Sequence, residues 1–583
     1  MDTNGTNGTN DTNGTNGTNS ANGVNTVQDY LDLYSDLTEK RQTWDSHWLS
    51  IRDYLVPFRG RWVSDGEAHN DGASKMGKII DALPMRALRV AAAGMHGGLT
   101  SPSRPWFRLK LADEELNQVW SVREWLSSVQ KIMYGAFARS NFYTAIHETY
   151  ADLIPFGTAC LYEEEDKDRD IRFRVFAPGE YACALGDKWT VDTIIREVWM
   201  TAAQVMATFD TGNISKTIQD YFKEPITRHK PVRIIHFCMP NSEHDADKSD
   251  TSAMPFRSVY MELETRDEAT ESELYLYEGG YKELPYFVPR WMVAGSDIYG
   301  IGAGMDVLPD VKRLHLLQKK IIMAVDKVID PPMRVPSGYK ERLRLMPGGI
   351  NPVDALQGEP IKPLYQINFD VAAAEAKAER LQMAVREGLF NDMFLMILER
   401  PNMTATEVAE RHEEKLMLLG PVIERQMNEL LDPLIERTFN ILVRKGKIPP
   451  APSEIQGKDW SIEYVSLMAQ AQKMVATQGI NSLVGFMGTL AGLQPDVMDK
   501  VDTDLAIEAY ADAVGVPASL IRSKERVDAM RDARAQEQAQ AQAMAQAGAG
   551  AGIAKDLSSA SVDNTNLLGQ LAQGLTAGTG GGV

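Results

Sequence analysis

The sequence predicts an α+β chain, mainly helical and divided into several regions. Long stretches at 28–60, 305–330, 371–398 and 404–451 carry apolar residues at spacings of three and four, the period of a half-buried helix. Between about 158 and 300 the text breaks into short β-branched and aromatic runs separated by turns, such as "IRFRVFAP" and "VRIIHFCMP". A Pro/Gly-rich excursion at 331–370, with seven prolines, separates two of the helical stretches. At 583 residues the chain exceeds what one hydrophobic core supports.

Residues 1–27 are almost entirely Asn, Gly and Thr, cannot bury apolar surface, and are expected to be disordered. Their repeated N-x-T triplets are glycosylation acceptors only on a secretory route, and no signal-like segment is expected here. In the helix over 28–60, Leu33, Leu37, Trp44, Trp48, Ile51 and Leu55 share one face, and Pro57 ends it. "KIIDALPMRALRVAAAGMHGGL" reads as a second helical stretch, "TSPSRPWFRLKL" as a proline stop followed by an extended run, and 115–150 as helix again. The strand-rich text to residue 304 holds one short helix beginning near Thr201.

From 305 to 330, Leu308, Val311, Leu314, Leu317, Ile321, Val325 and Val328 mark an apolar face. Arg313, Lys320 and Lys327 recur every seven residues as a basic stripe on another face, and "PPMRVP" stops the helix. The 331–370 excursion reads as a small β/loop unit made locally basic by Arg334, Lys340, Arg342 and Arg344. The helix over 371–398 would run about 40 Å. Flanking a compact excursion, the two helices are expected to lie antiparallel, side by side.

The stretch "ERPNMTATEV" then breaks one helix and starts another. Pro401 ends the first, Thr404 and Glu407 form a T-x-x-E capping box, and Met403 and Val408 occupy staple positions. Residues 399–403 are therefore a short loop pinned at both ends. The helix over 404–451 should kink at Gly420 and Pro421. Residues 452–530 form a further region, and 531–583 an Ala/Gln-rich helix that dissolves into a glycine-rich end.

The formal net charge of −19 argues against a chain that grips nucleic acid over a broad basic surface. The three cysteines, Cys160, Cys183 and Cys238, form no CxxC pair, so neither a disulfide framework nor a zinc site is expected, and a reducing compartment fits. No apolar run is long enough to span a bilayer. "YGIGAG" at 299–304 lacks the last glycine of a dinucleotide loop and the lysine of a P-loop, and reads as a flexible joint before the helix. "RHEEK" at 411–415 reads as solvated helix surface. No catalytic residue, metal site or cofactor is expected, and the chain reads as no enzyme.

Taken in order, "WLSIRDYLVPFRGRW", "GGLTSPSRPWFRL", "YGIGAGMDVLPDVKRL", "DPPMRVP", "ERPNMTATEV" and "LLGPVIERQMNELLDPLIER" resemble the head-to-tail connector, or portal, proteins of short-tailed T7-like bacteriophages, across roughly 28–470. The resemblance implies a ring, usually a dodecamer, at one vertex of the viral head, through which double-stranded DNA is packaged and ejected. It implies a wing (28–304 and the kinked helix 404–451), stem helices (305–330 and 371–398), a clip (331–370), a tunnel loop (399–403) and a crown (452–530), with 531–583 as a possible barrel. Arg400, Asn402, Met403 and Thr404 would face the DNA. The implied partners are the terminase motor, the tail adaptor, and the major capsid and scaffolding proteins, with no membrane. The place implied is the virion's head-tail junction, after assembly in the host cytoplasm. A non-portal ring or scaffold protein would explain the helices but not "SPSRPWF" and "DPPMRVP".

Overall fold

The computed structural model describes residues 26–59, 76–111, 113, 116–117, 119–245, 247–248, 251–263, 275–335, 342–344, 350–351, 361–364, 369–399, 419–455, 460–465 and 527–541. The first helix, α1 (Val27–Tyr54), starts at a capping box in which the Thr26 hydroxyl accepts from the Asp29 amide and Asp29 reaches back to the Thr26 amide. Leu37, Trp48, Ile51 and Leu55 are buried, as their spacing requires, while Leu33 and Trp44 are half-buried. Buried Arg41 donates to the Tyr181 carbonyl at 3.0 Å, and the Trp48 indole to the Phe156 carbonyl at 3.1 Å.

The strand-rich region forms an antiparallel five-stranded meander: β4 (Tyr181–Leu185), β5 (Val191–Thr201), β6 (Pro231–Pro240), β7 (Phe256–Glu262) and β8 (Tyr277–Tyr281). Alternation along β6 explains its nearly continuous apolar text. Ile235, Phe237 and Met239 pack with Tyr30 and Leu37 of α1 on one face. Val232 and Ile234 pack on the other face with α5 (Ala202–Thr208) and α6 (Lys216–Lys223). A sheet covered on both faces needs apolar residues at successive positions. A three-stranded sheet of order β3-β2-β9 joins β2 (Cys160–Asp166), β3 (Asp170–Phe176) and β9 (Tyr286–Phe287).

Several stretches differ from their sequence reading. Residues 78–82 precede α2 (Leu83–Leu99), because Pro84 sits in its first turn, where a missing N–H costs nothing. The stretch 115–150 holds two helices, α3 (Trp120–Arg139) and α4 (Phe142–Phe156), parted at Ser140–Asn141. The long helix expected over 371–398 is likewise two. Here α8 (Val371–Gly388) stops, Phe390 takes a left-handed φ of 54°, and α9 (Asn391–Glu399) restarts. The break falls at Leu389 and Phe390, two apolar residues through which the periodicity runs on.

The "YGIGAG" joint is packed, not flexible. A Cβ on Gly302 would stand 2.5 Å from the Gly157 amide nitrogen, and one on Gly304 2.6 Å from the Pro155 Cα. Neither Gly300, Gly302 nor Gly304 has a positive φ. These glycines serve close backbone approach, at the point where the end of α4 meets the start of α7 (Ala303–Ile329).

The extended run expected after Trp106 is β1 (Phe107–Leu111), paired antiparallel with β12 (Trp460–Tyr464). The chain beyond 452 thus first returns to the N-terminal half. Residues 527–541 belong to a separate unit and form a helix exposed along nearly its whole length, in keeping with its Ala/Gln composition. The tail to residue 25, Lys340, the loop residues Arg400, Asn402 and Met403, the capping box at Thr404 and Glu407, "RHEEK", most of 452–530 and the chain after 541 lie outside the described residues.

Candidate functional site

The helix α7 and its return α8 form an antiparallel hairpin. Its top is set by Val307, which lies where a Cβ on Gly388 would stand. Its bottom is set by β10 (Met333–Arg334) pairing with β11 (Lys362–Pro363) and by the Leu364 amide donating to the Pro332 carbonyl at 2.7 Å. Between these ends Leu314, Ile321 and Ala378 are buried, with Leu317, Val325, Phe369, Ala374 and Leu381 packed around them. Each large aliphatic side chain so buried contributes about 1.5–3 kcal/mol. The two-helix hairpin predicted around the excursion is therefore present, with its return helix ending at Gly388.

One flank of the hairpin is fastened to the body of the chain. His315 of α7 accepts at Nδ1 from the amides of Ile80 (3.1 Å) and Asp81 (3.2 Å). Asp81 in turn accepts from Gln382 of α8 at 2.8 Å. A ring nitrogen that accepts two N–H groups must be unprotonated, and burial lowers the His315 pKa, against the opposing pull of Asp81.

The opposite flank is basic. At about 100° per residue, Arg313, Lys320 and Lys327 stand on the side of α7 turned away from Asp81. All three are exposed, and Arg313 pairs with Asp310 at 3.2 Å. The same arithmetic on the antiparallel α8 brings exposed Lys377 and Arg380 to that flank, at the levels of Lys320 and between Lys320 and Arg313. The seven-residue spacing disclosed the stripe on α7. Lys377 and Arg380 join it only through the pairing of two helices, for which the sequence of α8 carries no signal.

At the bottom of the hairpin Arg334 is exposed on β10; Arg342 and Arg344 are exposed as well. The Asn351 side chain clamps the Arg344 backbone in both directions, accepting from its amide at 2.7 Å and donating to its carbonyl at 2.9 Å. At the top, α9 docks on α2, with Phe394 against Gly94, where any Cβ would collide with the ring.

The chain is next described at Leu419. Gly420 and Pro421 sit in a helix over 419–426, and residues 400–418 are not among the described residues. That helix passes through a π-turn, Met427–Leu431, into α10 (Asp432–Arg444). The π-turn aims Glu429 at Arg290. Its carboxylate accepts from Arg290 Nη2 (2.7 Å), Nε (3.2 Å) and backbone N (2.9 Å), and from Arg425 Nη1 (2.9 Å). Arg290 also donates to the Trp189 carbonyl at 2.8 Å, and its own carbonyl accepts from Gln426 at 2.9 Å.

The other buried ionisable groups are tied into packing. Burial raises Glu163 to about 7, against the opposing pull of Arg437 and a 2.8 Å hydrogen bond from Thr438. His236 sits between the Tyr286 hydroxyl (2.7 Å) and the Ser258 hydroxyl (2.9 Å), stacked on Tyr260. Among the described residues no three His, Cys, Asp or Glu side chains come together to hold a metal ion, and no helix is long and apolar enough to cross a membrane.

The family model described as bacteriophage head to tail connecting protein matches residues 27–521. The chain belongs to this family. Two curated relatives of the head to tail connecting protein family align with 92% of this chain and 96% of their own length. The "Probable portal protein" of Bordetella phage BPP-1 is 38% identical over 543 residues. The "Portal protein" of Salmonella phage epsilon15 is 35% identical over 543 residues. The resemblance read from the six sequence stretches thus holds for a connecting protein over most of the chain, and the match reaches past residue 470 to 521.

Proposed function

We propose that this chain is the subunit of a portal ring that sits at one capsid vertex, passes double-stranded DNA during packaging and ejection, and docks the terminase motor and then the tail adaptor. The observation that carries the reading is nearly full-length similarity to a protein named as a portal protein. The ring, taken as a dodecamer, would meet the major capsid and scaffolding proteins during assembly in the host cytoplasm and remain at the head-tail junction of the virion. Its role is structural rather than enzymatic.

In this reading α7 and α8 are the stem, the β10–β11 base and the residues beyond it are the clip, and the sheets with α1–α6 and α10 are the wing. The loop 399–403 is the tunnel loop, with Arg400 touching phosphate and Asn402, Met403 and Thr404 shaping the constriction. The basic flank of Arg313, Lys320, Lys327, Lys377 and Arg380 supports a stem wall that meets passing DNA. A net charge of −19 per copy keeps such contact sparse, and sparse phosphate contacts hold DNA weakly. Arg334, Lys340, Arg342 and Arg344 serve the clip's contacts with its neighbours or the motor, and Gly420–Pro421 sets the kink after the tunnel loop.

Imaging of the purified protein, with symmetry counted in end-on views, tests the reading. A ring with a hole wide enough for duplex DNA is expected. A protein that stays monomeric or forms compact dimers, even with its scaffolding partner, would overturn it.

A further inference from the structure

We infer that neighbouring copies meet through the two outer edges of the α7–α8 hairpin, the α7 edge of one copy seating on the α8 edge of the next. The inference rests on the ring reading above and gives it a residue-level contact.

The α7 edge presents Leu316, 55% exposed, and Met323, 49% exposed, flanked by exposed Lys312 and Lys319. The α8 edge presents exposed Ala372 and Ala376 with Met383, 67% exposed, beside Glu375 and Glu379. A run of apolar side chains left in water along one edge of a helix, unlike a single one, marks a surface that something covers. The α7 edge is long-chained and basic, while the α8 edge is small-residued, with a methionine and two glutamates beside it. Small residues let a facing helix approach closely, and the charges are opposite in sign. The register of the hairpin places Met323 level with the turn holding Ala373 and Ala376, and Leu316 level with Arg380 and Met383.

A second copy of this chain is the occupant because each edge lacks what the other supplies. Two α7 edges would bring lysines together. One edge on the other repeats head to tail, the kind of contact that closes rings rather than two-fold dimers. The other two sides of the hairpin are less suited. One is fastened at His315 and Gln382 to Asp81, and the other is basic and would repel its own copy. Edge-to-edge packing also turns the basic flanks of all copies to the same side of the ring wall.

Cysteine crosslinking tests the contact, since Cys160, Cys183 and Cys238 are all buried. Met323→Cys is combined in one chain with Ala372→Cys, Ala376→Cys or Glu379→Cys, which scans about one turn either way. The two positions lie on opposite edges of a helix pair whose axes are about 8–10 Å apart. A disulfide needs Cα atoms within about 7 Å, so a bond within one chain is excluded. Oxidised rings of at least one combination should give a ladder on a non-reducing gel that ends at the ring's copy number, while Met323→Cys alone gives none. Rings that form normally but crosslink in no combination, or Met323→Cys rings that crosslink alone as dimers, would overturn the edge pairing and leave the ring reading standing. Failure of the unmodified protein to form rings would strike the ring reading instead. Lys312→Glu with Lys319→Glu should cut ring yield at least tenfold, and Glu375→Lys with Glu379→Lys in the same chain should restore it. Intact rings that fail to retain DNA would instead assign the α7 edge to DNA, and the pairing would fall.

Discussion

Glu429 grips Arg290 with both carboxylate oxygens, at 2.7 and 3.2 Å, and both side chains are buried. The grip joins the π-turn after helix 419–426 to the segment that follows β9, and through the Trp189 carbonyl to the β4–β5 turn. The helix over 419–426 is thereby anchored within ten residues of Gly420.

Glu429→Ala leaves the Arg290 guanidinium buried without its counter-charge. Breaking one side of a buried pair costs about 3–5 kcal/mol. The midpoint of thermal or urea unfolding should fall accordingly, and Glu429→Gln, which keeps an acceptor, should fall less. An unchanged midpoint for Glu429→Ala would mean the pair contributes nothing.

Gly302→Val tests whether "YGIGAG" is a packing joint. Because a Cβ would stand 2.5 Å from the Gly157 nitrogen, backbone must move. We expect a loss of about 1–3 kcal/mol, read as a lower melting temperature. Millimolar ATP should leave the melting temperature of the unmodified protein where it was, and a saturable upward shift would revive the nucleotide reading.

The His315 anchor should weaken in acid. Its folded-state pKa lies below the ordinary 6.5, so between the two values the unfolded chain binds the extra proton. The stability it contributes is complete above 6.5 and is lost as pH falls through the lower, folded value. His315→Asn keeps an acceptor without titrating. Its stability curve should be flatter than that of the parent protein below pH 6.5, and parallel curves would refute the assignment.

Charge reversal of the proposed DNA-facing groups should spare assembly. Lys320→Glu with Lys377→Glu, and separately Arg400→Glu, should form rings of normal size while packaging or retaining less DNA. Rings that fail to form with Arg400→Glu would make the loop 399–403 a structural corner.

The family resemblance and the helical hairpin were legible because both rest on local text. Six short stretches in order carry the first, and the apolar spacing from Leu308 to Val328 with a proline stop carries the second. Periodicity misled where a helix stops without losing its pattern. Leu389 and Met393 are buried as a continuous helix would have them, yet Phe390 between them is left-handed and the axis breaks. The joint at Gly302 misled for a related reason. Glycine signals either an unusual φ or a close neighbour, and the neighbour here, Gly157, is distant in sequence.

By itself the sequence determined the kind of chain this is, the amphipathic faces of α1 and α7, and the basic stripe of Arg313, Lys320 and Lys327. These follow from spacing along one segment, where the helical period places side chains. Only the tertiary structure decided that Lys377 and Arg380 extend that stripe, that His315 and Gln382 converge on Asp81, and that Glu429 closes on Arg290. Each depends on the register between segments far apart in the chain. That register is set by core packing and by which buried polar groups find partners, and neither is written in a single stretch of residues.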